Sequence, residues 1–248
     1  MTKAPNHIKC LDITYKGRAD CQHCALRKMD LLAKIDVIKN EYLIKRIAQF
    51  DYKKKSVVYV ENSPVEFMYV VRKGLVKLEE TLDDGSTRIV RLVGKGNIAG
   101  LETFLDNGQR YDQTAIALQD SELCRIPFDV VSNLLKNEPN FLESVLNEWH
   151  RHIEASNKVI VEFSTGVLRQ RLACVLLMLV EEANHHSLVE IEMLHIDDLA
   201  ALTGVARESV SRVISEFKRE GLLTKSGVGK MRFNEAALRE IAEINSEL

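Results

Sequence analysis

The stretch HIDDLAALTGVARESVSRVISEFKREGLLTKSGVGKMRF, residues 195–233, reads as a helix, a tight turn, a second helix and a hairpin. Asp197 is placed to cap the first helix, because a side-chain oxygen accepts from the open N–H groups of a first turn. Leu199, Ala200 and Leu202 give that helix an apolar side, and Gly204 permits the sharp reversal after it. In the second helix Val205, Val210, Val213, Ile214 and Phe217 are predicted to be buried. That leaves Arg207, Glu208, Ser211 and Arg212 facing outward near its start. Glu208, Ser211 and Arg212 share a face, since residues three and four apart are helix neighbours. LLTKSGVGKMRF (222–233) then has the make-up of a small basic β-wing.

This face has the chemistry of a major-groove reader. A guanidinium bonds guanine O6 and N7 together, and a carboxylate accepts from cytosine N4. A serine is short enough to approach a base or a phosphate closely. Helix-turn-helix motifs present the N-terminal residues of the second helix to base edges. The formal charge of the whole chain is only −2. The charge is unevenly distributed, however. From 207 to 232, Arg207, Arg212, Lys218, Arg219, Lys225, Lys230 and Arg232 outnumber Glu208, Glu216 and Glu220. A local basic face on a mildly acidic protein is what a DNA contact requires.

Upstream, from Pro139, the apolar residues Phe141, Leu142, Val145, Leu146, Trp149, Ile153, Ile160 and Phe163 recur every three or four positions. They predict a long helix whose seam calls for a partner helix, with Ser156 and Asn157 interrupting it. A second helix is expected over VLRQRLACVLLMLVEEA, with Cys174 as an ordinary core residue. Earlier still, after a short helix-like stretch NEYLIKRIAQF, the chain becomes a series of short β-rich runs. Gly74, Gly85, Gly94, Gly96, Gly100 and Gly108 punctuate them, and DDGS is a hairpin turn. Many short strands at regular spacing predict an antiparallel barrel or sandwich. The organisation is therefore a polar N-terminal segment (1–30), a β-domain (31–138), a long helix (139–165) and a winged helix-turn-helix (166–248), an α+β chain.

The N-terminal segment holds Cys10, Cys21 and Cys24, three of five cysteines, and the last two form a C-x-x-C pair. The longest apolar run, VLLMLV, is too short to span a bilayer, and MTKAPNHIKC has no signal-peptide core. The expected location is the cytoplasm, without a membrane partner. There thiols stay reduced, so clustered cysteines point to metal ligands or redox groups rather than disulfides. His7, Cys10, Cys21 and Cys24 also have the spacing of a zinc knuckle.

Taken together, the β-domain, seam helix and winged helix-turn-helix resemble the CRP/FNR superfamily of bacterial transcription regulators. The similarity spans nearly the whole chain and is strongest in RESVSRVISEFKREGLL (207–223), GLVKLEE (74–80) and ELCRIPF (122–128). The resemblance implies a β-roll of the cyclic-nucleotide-binding jelly-roll type. It also implies a homodimer, a roughly palindromic double-stranded DNA operator and RNA polymerase as a further partner. Half-sites would lie about one helical turn apart. Glu208, Ser211 and Arg212 fall on the base-contacting positions, in an arrangement like that of the FNR branch, which reads a TTGAT-type half-site. Arg207 matches a DNA contact of the CRP branch.

Cyclic-AMP binders of this family grip their ligand with a Glu after a Gly and an Arg followed by Ser or Thr. In GLETFLDNGQRYDQTA (100–115), Leu101 follows Gly100 and Tyr111 follows Arg110, so Glu102 and Arg110 stand out of pattern. The FNR branch instead holds an oxygen-labile iron–sulfur cluster, usually 4Fe-4S, on N-terminal cysteines and one cysteine of the roll. By that resemblance Cys21, Cys24 and Cys124 are ligands. Where the family has a third N-terminal cysteine this chain has Asp30. Cys10 is preferred over Asp30 to complete the set, since thiolate suits soft iron better. The alternatives are a regulator answering to a cyclic nucleotide or another small molecule without a cluster, and one with a structural zinc. A β-roll enzyme would need histidines inside the roll, and none lies between residues 24 and 149. The expectation is a DNA-binding regulator and not an enzyme.

Overall fold

The computed structural model describes residues 12–21, 23–24, 35–36, 38–104, 110–184 and 191–243. Its contacts divide the chain into two units, Met1–Glu80 with Arg91–Glu154, and Thr81–Val90 with Ala155–Leu248.

The first unit is built on β1 (Ile13–Arg18), α1 (Glu41–Ile44), β2 (Ala48–Tyr52), β3 (Val57–Tyr59) and β4 (Phe67–Lys73). Then come β5 (Val76–Thr81), β6 (Thr87–Val93), β7 (Ile98–Ala99), β8 (Thr114–Ala117), β9 (Ser121–Pro127), α2 (Phe128–Asn137) and α3 (Pro139–Lys158), of which residues 81, 87–90 and 155–158 belong to the second unit. One antiparallel sheet has the order β1-β2-β9-β4-β7 and the other β3-β8-β5-β6. The α+β architecture is present, with the two antiparallel sheets that the turn-punctuated runs and the family resemblance led to expect. Between β5 and β6 the DDGS turn closes with Leu82 N–H donating to Ser86 O at 2.8 Å.

The register of β4 against β9 pairs Met68 with Ile126 and Val70 with Cys124, putting all four on one face. Against that face pack Val130, Val131 and Leu134 of α2 and Phe141 and Val145 of α3. Each fully buried side chain of this size contributes about 1.5–3 kcal/mol. Gly74 has φ +93°, and a Cβ there would lie 2.2 Å from Ser121 Oγ, so the β4–β5 turn admits no side chain.

Two local expectations need correction. Residues 1–30 are only weakly periodic, yet Ile13–Arg18 is a strand paired with β2. It lies at the sheet edge with most side chains in water, so no apolar alternation marks it. The helix-like NEYLIKRIAQF yields only the single turn α1 before Ala48 enters β2. Ile44 and Ile47 are drawn into the core, and β2 gains ladders on both sides, from β1 and β9.

The second unit contains a π-helical stretch, Val159–Phe163, then α4 (Leu168–Asn184), β10 (Ile191–Glu192), α5 (Ile196–Thr203) and α6 (Arg207–Arg219). It ends with β11 (Leu223–Lys225), β12 (Lys230–Phe233) and α7 (Glu235–Glu243). The three strands form a sheet in the order β10-β12-β11, the expected wing extended by one strand. Leu172, Leu176 and Leu179 of α4, Leu199 and Leu202 of α5, and Val210, Ile214 and Phe217 of α6 are buried. Among the described residues no helix is long and apolar enough to cross a membrane.

Candidate nucleic-acid interface and sensor core

The α5–α6 pair is held by its ends. Gly204 closes α5 in the left-handed conformation, φ +67°, with its N–H on Ala200 O at 2.7 Å. Arg171 Nη1 donates to Thr203 O at 3.1 Å, a cation on the negative end of α5. At the far end of α6, Arg169 pairs with Glu220 and lies over the Phe217 ring at 5.0 Å. These arginines were not singled out from the sequence, where charged residues on a surface helix carry no signal of their partners.

On α6 the apolar side is buried, while Arg207, Glu208, Ser211 and Arg212 are exposed. Val205 and Val213 are half-buried rather than buried. The expected cap of α5 is corrected. His195 is the N-cap residue, extended at ψ 151°, and its Nδ1 accepts from Asp197 N–H at 3.4 Å. A cap needs the non-helical backbone found at His195, whereas Asp197 already lies inside the first turn. The Asp197 carboxylate instead turns sideways, 3.0 Å from His195 Nδ1 and 3.2 Å from Arg207 Nη1.

In the first unit the cysteines meet an arginine that the sequence did not mark. Arg72, on β4, donates from Nη1 to Cys24 Sγ at 3.1 Å and from Nε to Glu122 at 2.8 Å. Lys16 of β1 reaches Glu122 as well, at 2.8 Å. Burial works against the charge of Arg72, but Cys124, Cys24 and Glu122 together hold its pKa above the ordinary value. Cys124 is buried on β9, and Cys21 packs against the core cluster that contains it. Cys10 and Asp30 lie outside the described residues, as does His7. Soft sulfur donors beside a compensating cation fit an iron–sulfur group in chemical kind. Among the described residues, however, no group of three or more metal-ligating side chains is gathered. His23, from the zinc-like CQHC, hydrogen-bonds Asp20.

Inside the roll, Arg91 Nη2 pairs with Glu102 at 2.9 Å, both side chains being 10% exposed. Tyr59 donates to Glu102 at 3.2 Å and stacks on Tyr111 with ring centroids 3.9 Å apart. Tyr111 in turn donates to Phe67 O at 2.6 Å. Glu102 is thus engaged by Arg91 and Tyr59, while Arg110 Nη1 donates to Asn62 O instead.

The seam helix has two faces. Phe141, Val145 and Phe163 are buried, whereas Leu142, Leu146, Ile153 and Ile160 are half or more exposed. Between the faces sits Glu148, fully buried, accepting from Ile98 N–H of β7 at 3.1 Å and paired with Arg151. His152 Nε2 is 3.3 Å from the same carboxylate.

Residues 49–138 match the model of a cyclic nucleotide-binding domain, and residues 170–241 that of a Crp-like helix-turn-helix domain. The transcriptional regulator SdrP of Thermus thermophilus is 35% identical over 184 residues, 73% of this chain and 86% of that protein. The chain belongs to the CRP/FNR superfamily. Another relative, the fumarate and nitrate reduction regulatory protein of Vibrio cholerae, is 21% identical over 235 residues and 92% of both chains. The structure of FixK2 from Bradyrhizobium japonicum superposes with a TM-score of 0.67 at 20% identity, over 79% of this chain and 96% of that one. As a CRP/FNR protein the chain is a DNA-binding transcriptional regulator, and its α5 and α6 lie within the matched Crp-like helix-turn-helix region.

Proposed function

We propose that this CRP/FNR regulator is switched by oxygen or redox state through an iron–sulfur cluster, probed at a TTGAT-like palindrome by a homodimer. The observation that carries the sensor half is the convergence of Cys24 and Cys124 on Arg72. Cys10, Cys21, Cys24 and Cys124 would hold the cluster, which supplies reactivity toward oxygen when bound. Arg72 balances the negative charge of the thiolates. Tying Cys21 and Cys24 to Cys124 fixes the N-terminal segment on the face of the sheet that α2 and α3 cover. Glu148 carries that state into α3 through its bond to β7. The exposed face of α3 pairs with a second copy, because Leu146 and Ile153 stand seven residues apart, the spacing of a two-stranded seam. The paired and unpaired states then exchange population according to ligation. Glu208, Ser211 and Arg212 read bases, Arg207 is a further DNA contact, and RNA polymerase is the downstream partner.

Cyclic nucleotide sensing is disfavoured by the closed set of Arg91, Glu102, Tyr59 and Tyr111. The test is anaerobic purification of the full chain, visible absorption, and assay of iron, sulfide and zinc before and after air. A chromophore near 400 nm that bleaches in air, with DNA binding changing in step, supports the proposal. A colourless chain with one zinc, or a melting temperature raised by cyclic AMP, would overturn it in favour of a structural metal or a nucleotide-responsive regulator.

A further inference from the structure

Asp197 is an acid next to an arginine that belongs to the DNA-facing end of α6. Its Oδ1 is 3.2 Å from Arg207 Nη1, and its Oδ2 is 3.0 Å from His195 Nδ1. The carboxylate is therefore held by Arg207, since the His195 Nδ1 that accepts from the Asp197 N–H has no proton to give Oδ2. The Asp197 and Arg207 side chains are 55% and 61% exposed, so the fold does not depend on their pairing. A carboxylate in this place opposes DNA binding through phosphates, whose charges lie about 1.7 Å apart along the duplex axis. Its presence needs a compensating use.

We propose that Asp197 is a positioning residue for base reading, holding the Arg207 guanidinium by one edge so that the arginine serves a base edge instead of a phosphate. The inference rests on the DNA-reading role of α6. A guanidinium has five N–H donors in a rigid fork. With Nη1 engaged by Asp197, Nε and Nη2 are the donors presented, in the spacing that suits guanine O6 and N7. The pair is locally neutral. It adds little to the salt-sensitive, sequence-independent attraction that phosphates exert, so specificity gains more than affinity does.

The test uses the full-length chain with randomised duplex DNA, selected and sequenced at two salt concentrations, for the wild type, Asp197→Asn, Arg207→Ala and the double variant. Asparagine keeps the backbone N–H that His195 accepts from and removes only the charge. Asp197→Asn is expected to lose base preference at the one position per half-site that Arg207→Ala also relaxes. It should bind unrelated duplex roughly 3- to 10-fold tighter at low salt, with a log–log salt slope steeper by up to about one. Its melting temperature should match the wild type. In the Arg207→Ala background, Asp197→Asn should change base preference no further. Unaltered preference and slope in Asp197→Asn overturns the proposal, as does a preference change that persists without Arg207. A wild-type chain that enriches no sequence would overturn base reading by α6 and the pair with it.

Discussion

Arg72 Nη1 lies 3.1 Å from Cys24 Sγ, joining a β4 side chain to an N-terminal cysteine forty-eight residues away in sequence. Arg72 is also held by Glu122, two residues before Cys124 on the neighbouring strand. One cation thus serves both the C-x-x-C pair and the roll cysteine. Its charge is needed most when those sulfurs are thiolates. Arg72→Leu is expected to leave the metal-free chain folded and to weaken iron retention roughly 10- to 100-fold, as loss of an outer-shell partner does. Anaerobic competition with a chelator, read by visible absorption, measures this. Iron held as tightly as in the wild type would remove Arg72 from the sensor.

Glu148 tests the link between roll and helix. Its carboxylate is fully buried and accepts from Ile98 N–H. Glu148→Ala leaves that buried N–H without its acceptor, and should cost about 1–3 kcal/mol in urea unfolding. Glu148→Gln keeps an acceptor for Ile98 and should cost clearly less. Equal losses would show that packing volume, not the bond to β7, is what matters there.

The exposed face of α3 should be the one that dimerises. Leu146→Glu and Ile153→Glu put a charge on the proposed seam and leave the Phe141 and Val145 face intact. Both variants should sediment as monomers with an unchanged circular dichroism spectrum. Their affinity for a two-half-site DNA should fall by at least about tenfold, since the half-sites are no longer linked. Dimers persisting in both variants would move the interface elsewhere.

Acid should loosen α6 from α4 through one pair. The Arg169 guanidinium beside Glu220 holds its carboxyl below the usual carboxylate range. A carboxyl lowered in the folded state contributes stability above its unfolded value, and that contribution is lost as pH falls through the lowered folded value. Glu220→Gln should therefore melt below the wild type at pH 7, with the gap closing on acidification below about pH 4. A gap that stays constant down to pH 3 would assign it to something other than this pair. The ring of Phe217 under Arg169 remains in either case.

The helices of the DNA-binding unit were legible because their signals are local. Val210, Ile214 and Phe217 lie on one side at spacings of three and four, and Gly204 takes the one backbone conformation that ends α5 and turns the chain. The strand at Ile13–Arg18 was not legible, because an edge strand with solvated side chains has no apolar period to read. The division of the seam helix was hidden for a related reason. Periodicity shows that Phe141 and Leu142 are apolar, but not which of them meets the roll and which meets solvent.

By itself the sequence determined the α+β order of strands, long helix and winged helix-turn-helix, and the exposed quartet Arg207, Glu208, Ser211 and Arg212. Each of these follows from spacing and turn chemistry within a few residues. Only the tertiary structure decided that Cys24 and Cys124 share Arg72, that Glu148 ties α3 to Ile98, and that Asp197 turns from its own helix to Arg207. The physical reason is register. Val70 stands opposite Cys124 in the β4–β9 ladder, and a slip of one residue would send either side chain to the other face of the sheet. No local pattern in the chain encodes that pairing. It is settled when the strands and helices bury their apolar faces together.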